Sequence, residues 1–442
     1  MMTLWVVIML VLPFAFLPNV EAWKAGDEAA VFGHTFSEEY WTNNSILVET
    51  GGNNASLTAS YVSIGEFQAF MVAFNEIYNQ GTRLVLPYQL FGMHYKTPEN
   101  KEVFIGAIFA FLLAHNESYG ANDLPDVGHE AAWYVVPLAS GGPWPDVQTE
   151  VEPINATKIA EGHYRFGMRY TNLSCRIVDT TGGFWLSLLL PIFEVLISEL
   201  VIQYDIEVGS AGEIHAETLY TIGQVRRAKL LGFDVDPQDV ITDSMRISAV
   251  HYLTVFTSKY NVTRSGTGTT VPKPTATMPL SDNITIKVGD NNERAFDIGL
   301  GRSYALLNES TTPYSVLSPD ETAINCLLEA TGGDFLLIAW QLPFSAWVLA
   351  HMAYGLSAQL RATYATVNAF ANNAATAFGT SDWWYAVTFP EWNGYRVQQD
   401  PVYVAYTNVG LLGGSTGGGL GLLVILGLVA VVGLVVITRR KH

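Results

Sequence analysis

Hard oxygen donors crowd together at two places in this chain. Asp123, Asp126, His129 and Glu130 form the first group. Asp234, Asp236, Asp239 and Asp243 form the second, with Pro237 turning the chain between them. Carboxylates at such short spacing suit Ca²⁺, which gathers roughly six to eight oxygen ligands. Neither group follows the twelve-residue calcium loop with its Gly and closing Glu, so the expectation of calcium rests on donor chemistry alone. The competing reading is a solvated acidic loop or a helix cap. No His-Glu-x-x-His, no Cys-x-x-Cys and no phosphate-binding Gly loop is present. The nine histidines are scattered, with no pair at helical spacing to hold zinc.

Two other kinds of residue carry chemistry. Trp383, Trp384, Tyr385, Phe389, Glu391, Trp392 and Tyr395 make the densest aromatic patch. Rings beside an acid can stack on sugars; they can equally close a core or rest at the headgroup level of a membrane. Eight Asn-x-Ser/Thr sequons occur, at Asn43, Asn54, Asn116, Asn155, Asn172, Asn261, Asn283 and Asn308. Together they fit a glycosylated exterior domain. Cys175 and Cys326 are the only cysteines. Outside the cell they could form one disulfide, and the alternative is two buried free thiols.

The remainder of the chain says where such chemistry would sit. Residues 420–437 are an uncharged Leu/Val/Ile/Ala run broken only by Gly421, Gly427 and Gly433. At ~1.5 Å per residue they span about 27 Å, close to a ~30 Å hydrocarbon core. Arg439, Arg440 and Lys441 follow directly, and positive flanks stay cytoplasmic. At the other end, residues 4–17 read as the apolar region of a secretory signal, with Val20-Glu21-Ala22 as its cleavage site. No Lys or Arg precedes that region, so an uncleaved anchor competes. A net charge of −18 disfavours nucleic acid and anionic lipid as partners.

Between these ends the apolar periods alternate. Asn43 to Gly65 reads as short β runs. Phe67, Phe70, Met71, Phe74, Ile77 and Tyr78 recur at helical spacing. Thr97-Pro98-Glu99 reads as a helix start, and the apolar residues from Val103 to Ala114 as a buried helix. Ser318-Pro319-Asp320-Glu321 is a capping box for a helix running through Cys326. Residues 183–202 and 335–360 are read as further apolar helices, because membrane spans there would strand the sequons inside. Period-two alternation predicts hairpins at Leu200 to Val208 with Ile214 to Ile222, and at Ile284 to Val288 with Ala295 to Leu300. Strands are also expected near Tyr164 to Tyr170, Met245 to Tyr260 and Pro401 to Thr407.

The expected architecture is α+β: a large β-rich ectodomain of antiparallel sheets with several buried apolar helices, plus one C-terminal transmembrane helix. The chain divides into a signal (1–22), an N-terminal ectodomain part (23–263), a Ser/Thr/Gly/Pro-rich linker (264–280) and a C-terminal part (281–410). A Gly-rich tether (411–419), the anchor (420–437) and a basic tail (438–442) complete it. The expected role is that of a single-pass surface glycoprotein with a structural, adhesive or partner-binding function. Its partners would be membrane lipid through the C-terminal helix and proteins or glycans at the surface. Gly413, Gly417 and Gly421 at four-residue spacing would let two anchors pack as a homo-oligomer. The alternatives are an anchored extracellular hydrolase or glycan-active enzyme using carboxylates, and a membrane-fusion or attachment protein, the latter requiring an apolar stretch exposed at the tip farthest from the anchor.

Overall fold

The computed structural model describes residues 34, 38–50, 53–77, 88–116, 132–138, 144, 146–147, 149–179, 192–241, 245–257, 262–265, 284–289, 291–299, 304–307, 324–329, 380–389, 396–399, 402–407 and 409. These residues are dominated by antiparallel β-structure. Five strands open the chain as a meander, each paired to the next: β1 (Tyr40–Thr50), β2 (Asn53–Ile64), β3 (Phe67–Ile77), β4 (Tyr88–Lys96) and β5 (Glu102–Asn116). Gly65, at φ +59°, makes the β2–β3 turn without a side-chain penalty. At the β4–β5 turn the Thr97 hydroxyl accepts from Lys101 N–H and Asn100 takes φ +61°. Thr97-Pro98-Glu99 therefore turns a hairpin instead of opening a helix.

The middle of the chain supplies β6 (Ala132–Leu138), β7 (Glu150–Ala160), β8 (His163–Asp179), β9 (Phe193–Val208) and β10 (Ile214–Ile222). Then come β11 (Val225–Leu230), β12 (Phe233–Val235), the one-turn helix α1 (Pro237–Val240) and β13 (Met245–Thr257). The last strands are β14 (Val262–Ser265), β15 (Ile284–Val288), β16 (Glu293–Gly299), β17 (Tyr304–Leu307), β18 (Ile324–Glu329), β19 (Thr380–Phe389), β20 (Arg396–Gln399) and β21 (Val402–Ala405). All twenty-one belong to one hydrogen-bonded network.

Three long strands change partners part-way along. One edge of β5 pairs with β4 and then β6, while β13 covers its other edge. One edge of β8 pairs with β7 and then β6. One edge of β9 pairs with β11 and then β10. The changes coincide with local breaks in the ladder. Asn172 on β8 takes φ +53° and falls outside the β8–β9 register, and Ser198 N–H turns to the Gln224 carbonyl at 2.8 Å. Gly223 completes this line; a Cβ there would lie 2.2 Å from Ser198 Oγ.

Because of the fork, the β1–β5 arm leaves the common sheet and folds over β8, β9 and their neighbours. Phe91 of β4 stacks on Tyr204 of β9, with ring centroids 4.1 Å apart, and touches Phe166 of β8. Tyr95 of β4 donates to the Ala295 carbonyl of β16. On the outer side, a bulge in β7 frees Ala156 N–H to reach Thr42 Oγ1 of β1 at 2.7 Å. The core between the layers alternates along each strand, as with Phe166, Met168 and Tyr170 on β8 and Ile202, Tyr204 and Ile206 on β9.

The predicted hairpins at β9–β10 and β15–β16 form as expected. Strands also occupy the regions expected from Tyr164, Met245 and Pro401. The predicted buried helices do not. Phe67–Ile77 is a strand whose inward set is Phe67, Ala69, Met71 and Ala73. Phe70, on the opposite face, covers Gly92, and this extra buried ring imitates helical spacing. Glu102–Asn116 is instead a strand paired along both edges, with Val103, Ile105, Leu112 and Ala114 buried. The described part of residues 183–202 belongs to β9, and its Glu194 is held by Arg176 across the β8–β9 ladder at 2.9 Å. The sequence after the expected capping box forms β18, paired with β19. Among the described residues the only helix is α1, and no helix is long and apolar enough to cross a membrane. Residues 335–360 and 420–437 lie outside the described residues.

Candidate functional site

The second acidic group lies around α1. Asp236 is its N-cap, accepting from Gln238 N–H at 3.0 Å, which holds the carboxylate to the backbone. Asp234 on β12 meets Lys229 of β11 at 3.2 Å. Asp239 sits in the helix turn, and Asp243 lies outside the described residues. Among the described residues, no group of three or more His, Cys, Asp or Glu is placed to hold a metal ion. Asp123, Asp126, His129 and Glu130 lie outside them.

Five sequon asparagines fall in strands. Asn155 is exposed at the β7 bulge, and Thr157 Oγ1 donates to its carbonyl at 3.0 Å. Asn43 on β1 is half-buried. Asn172 is half-buried at the fork, and its carbonyl accepts from Thr149. Asn54 lies on β2 and Asn116 ends β5, while Asn261, Asn283 and Asn308 lie outside the described residues. The Cys175 thiol is free and fully buried on β8, and burial pushes its pKa well up. Cys326 lies on β18. Trp383, Trp384, Tyr385 and Phe389 lie on β19, paired with β13.

Two carboxylates are almost fully enclosed among the described residues, Glu194 and Asp297. Each is committed to an arginine. Arg176 Nη2 donates to Glu194, and Arg294 donates to Asp297, which also accepts from Tyr406 at 2.8 Å. The Arg294 guanidinium lies 4.5 Å from the centre of the Tyr406 ring. These two nodes sit near opposite ends of β9: Glu194 is on its first turn of pleat, and Asp297 is linked through β21 and β10 to Glu207. They are not the paired acids, ~5–10 Å apart, that glycoside hydrolysis requires.

The least expected feature is the β11–β12 hairpin. Leu230 pairs with Phe233, and Leu231 and Gly232 form the two-residue turn at φ +50° and +84°. Positive φ at both positions matches a type I′ turn, whose favoured residues are Asn and Gly. Leu at φ +50° costs about 1 kcal/mol relative to a residue suited to that region. Both large side chains of this tip point outward, with Leu231 67 % and Phe233 76 % exposed, and Leu230 is exposed beside them. A Cβ at Gly232 would meet nothing within 4 Å, so the tip projects into open space.

The sequence signal for this hairpin was the apolar Leu230-Leu231-Gly232-Phe233 following Arg226, Arg227 and Lys229. A Leu-Gly turn is a weak hairpin signature, and the acids just after it drew attention to calcium instead. No protein-family model, no curated protein and no solved structure matches this chain.

Proposed function

We propose that this chain is a membrane-anchored surface glycoprotein with an adhesive or partner-binding role, its β-rich part outside the cell. The observation that carries the reading is the uncharged run at 420–437 next to Arg439, Arg440 and Lys441. Such a run is long enough to cross a bilayer, and the cationic flank sets its direction. The sequons support the same orientation, since N-glycans are added only on the exterior side. A net charge of −18 suits a domain held in solution above a membrane. The residues the structure describes include hairpins and one projecting apolar tip. Those are features of a protein that contacts other surfaces.

Protease added to intact cells tests the orientation. It should remove the β-rich part and leave a small anchored fragment. Protection of that part on intact cells would overturn the reading. In the same cells, Asn155→Gln should raise electrophoretic mobility by one glycan, because Asn155 is exposed at a bulge. Asn172→Gln should not, because Asn172 is half-buried at the break in the β8–β9 ladder, its carbonyl bonded to Thr149.

A further inference from the structure

We propose that the β11–β12 tip docks on the headgroup region of a phospholipid bilayer. Leu231 and Phe233 would enter the interface, with the Lys229–Asp234 ion pair beside them at headgroup level. Four observations support this. First, the two most exposed large hydrophobic residues among those described are Phe233 and Leu231, one on either side of Gly232. Second, Leu231 occupies a backbone conformation that favours Asn or Gly, so a strained site keeps an apolar side chain where a polar one would fold more easily. Third, cations precede the tip on the same hairpin: Arg226 is exposed, Arg227 meets Asp146 at 2.9 Å and Lys229 meets Asp234. Long cationic side chains beside buried apolar ones are the arrangement that anchors proteins at an interface.

The fourth observation is position. Leu230 pairs with Phe193 at the first residue of β9, whereas Ala405 is linked through Ile214 to Val208 at its last. Sixteen residues of strand at ~3.3 Å each give about 50 Å of contour between these levels. Val409 lies beyond Ala405, against Gly65. The hairpin is thus at the opposite end of β9 from Ala405, the last residue of β21. Docking away from the anchor rests on the anchored reading; lipid contact by the tip does not.

The chemistry also selects the surface. Asp234, Asp236 and Asp239 are exposed near the tip and oppose an anionic membrane, so the fitting target is zwitterionic. A second copy of this chain fits less well. Three partly exposed side chains of about 150–250 Å² each fall short of the ~800 Å² per partner in a stable protein interface.

The test uses the full chain in nanodiscs, mixed with phosphatidylcholine vesicles and floated on a density gradient. The wild type should carry vesicles with it. The double variant Leu231→Asn, Phe233→Ser should capture at least tenfold fewer, with unchanged circular dichroism and a melting temperature no lower than wild type. Equal capture by the variant, or no capture by the wild type, overturns the proposal. So does concentration-dependent self-association of the wild type that the variant abolishes while vesicles are ignored. A chain that fails to enter nanodiscs refutes the anchor instead, and flotation of the same chain held in amphipol still reads the tip.

Discussion

Gly167 shows how tightly some single positions are specified. It lies on β8 opposite Gln203, and a Cβ there would meet the Ile202 carbonyl oxygen at 2.4 Å and Gln203 Cα at 2.8 Å. Both obstacles are backbone, so neither can swing aside. Gly167→Ala should therefore destabilise the protein by about 1–3 kcal/mol, the usual range for overpacking. A lowered urea midpoint with an unchanged slope would report this; an unchanged midpoint would mean that the two strands separate easily. The same residue-level logic was only partly legible beforehand. Tyr164, Phe166, Met168 and Tyr170 announced the strand through alternation. Nothing in a one-dimensional pattern says that Gly167 must be bare because Gln203, far along the chain, crosses it. Leu231 was hidden for a different reason: its strain depends on a turn type that Leu-Gly scarcely signals.

Among the elements, the seam between β1 and the β7–β8 pair depends on one carboxylate. Glu39, just before β1, accepts hydrogen bonds from Tyr164 and, at 2.9 Å, from Lys158. The Tyr164 bond most of all, and the ammonium next, hold its pKa below the ordinary value near 4.5. A depressed folded-state pKa means that the contribution is complete above the unfolded-state value and is lost as pH falls through the folded one. Protection factors in β1, corrected for the intrinsic exchange rate at each pH, should accordingly fall at acid pH while those in β8 and β9 hold. Glu39→Gln should show that loss already at neutral pH, and β1 protection that ignores both changes would place the seam elsewhere. Elements were legible where one face only was buried, as in β9–β10 and β15–β16. They were misread where both faces were covered, as at Glu194 to Ser198 of β9, buried at every position, and Phe70 over Gly92 blurred β3 into an apparent helix.

At the scale of the whole molecule, the two layers are joined by a few aromatic contacts, with Phe91 at the centre between Tyr204 and Phe166. Phe91→Ala should cost about 3–5 kcal/mol. Unfolding should remain a single transition in the variant, because β6 pairs with both β5 and β8 and so ties the layers together. Two separated transitions would show that the layers melt independently. The fork itself could not be read in advance, since a partner exchange halfway along a strand leaves each strand's own pattern intact. The place where the chain departs has a mechanical meaning as well. β21 lies between β10 and β16, bonded on both sides, with its ladder bonds running across the strand. Tension drawn along residues beyond Val409 loads those bonds in shear, all together, instead of opening them one after another. Pulled from that side, β21 would thus resist rupture better than four residues of strand suggest.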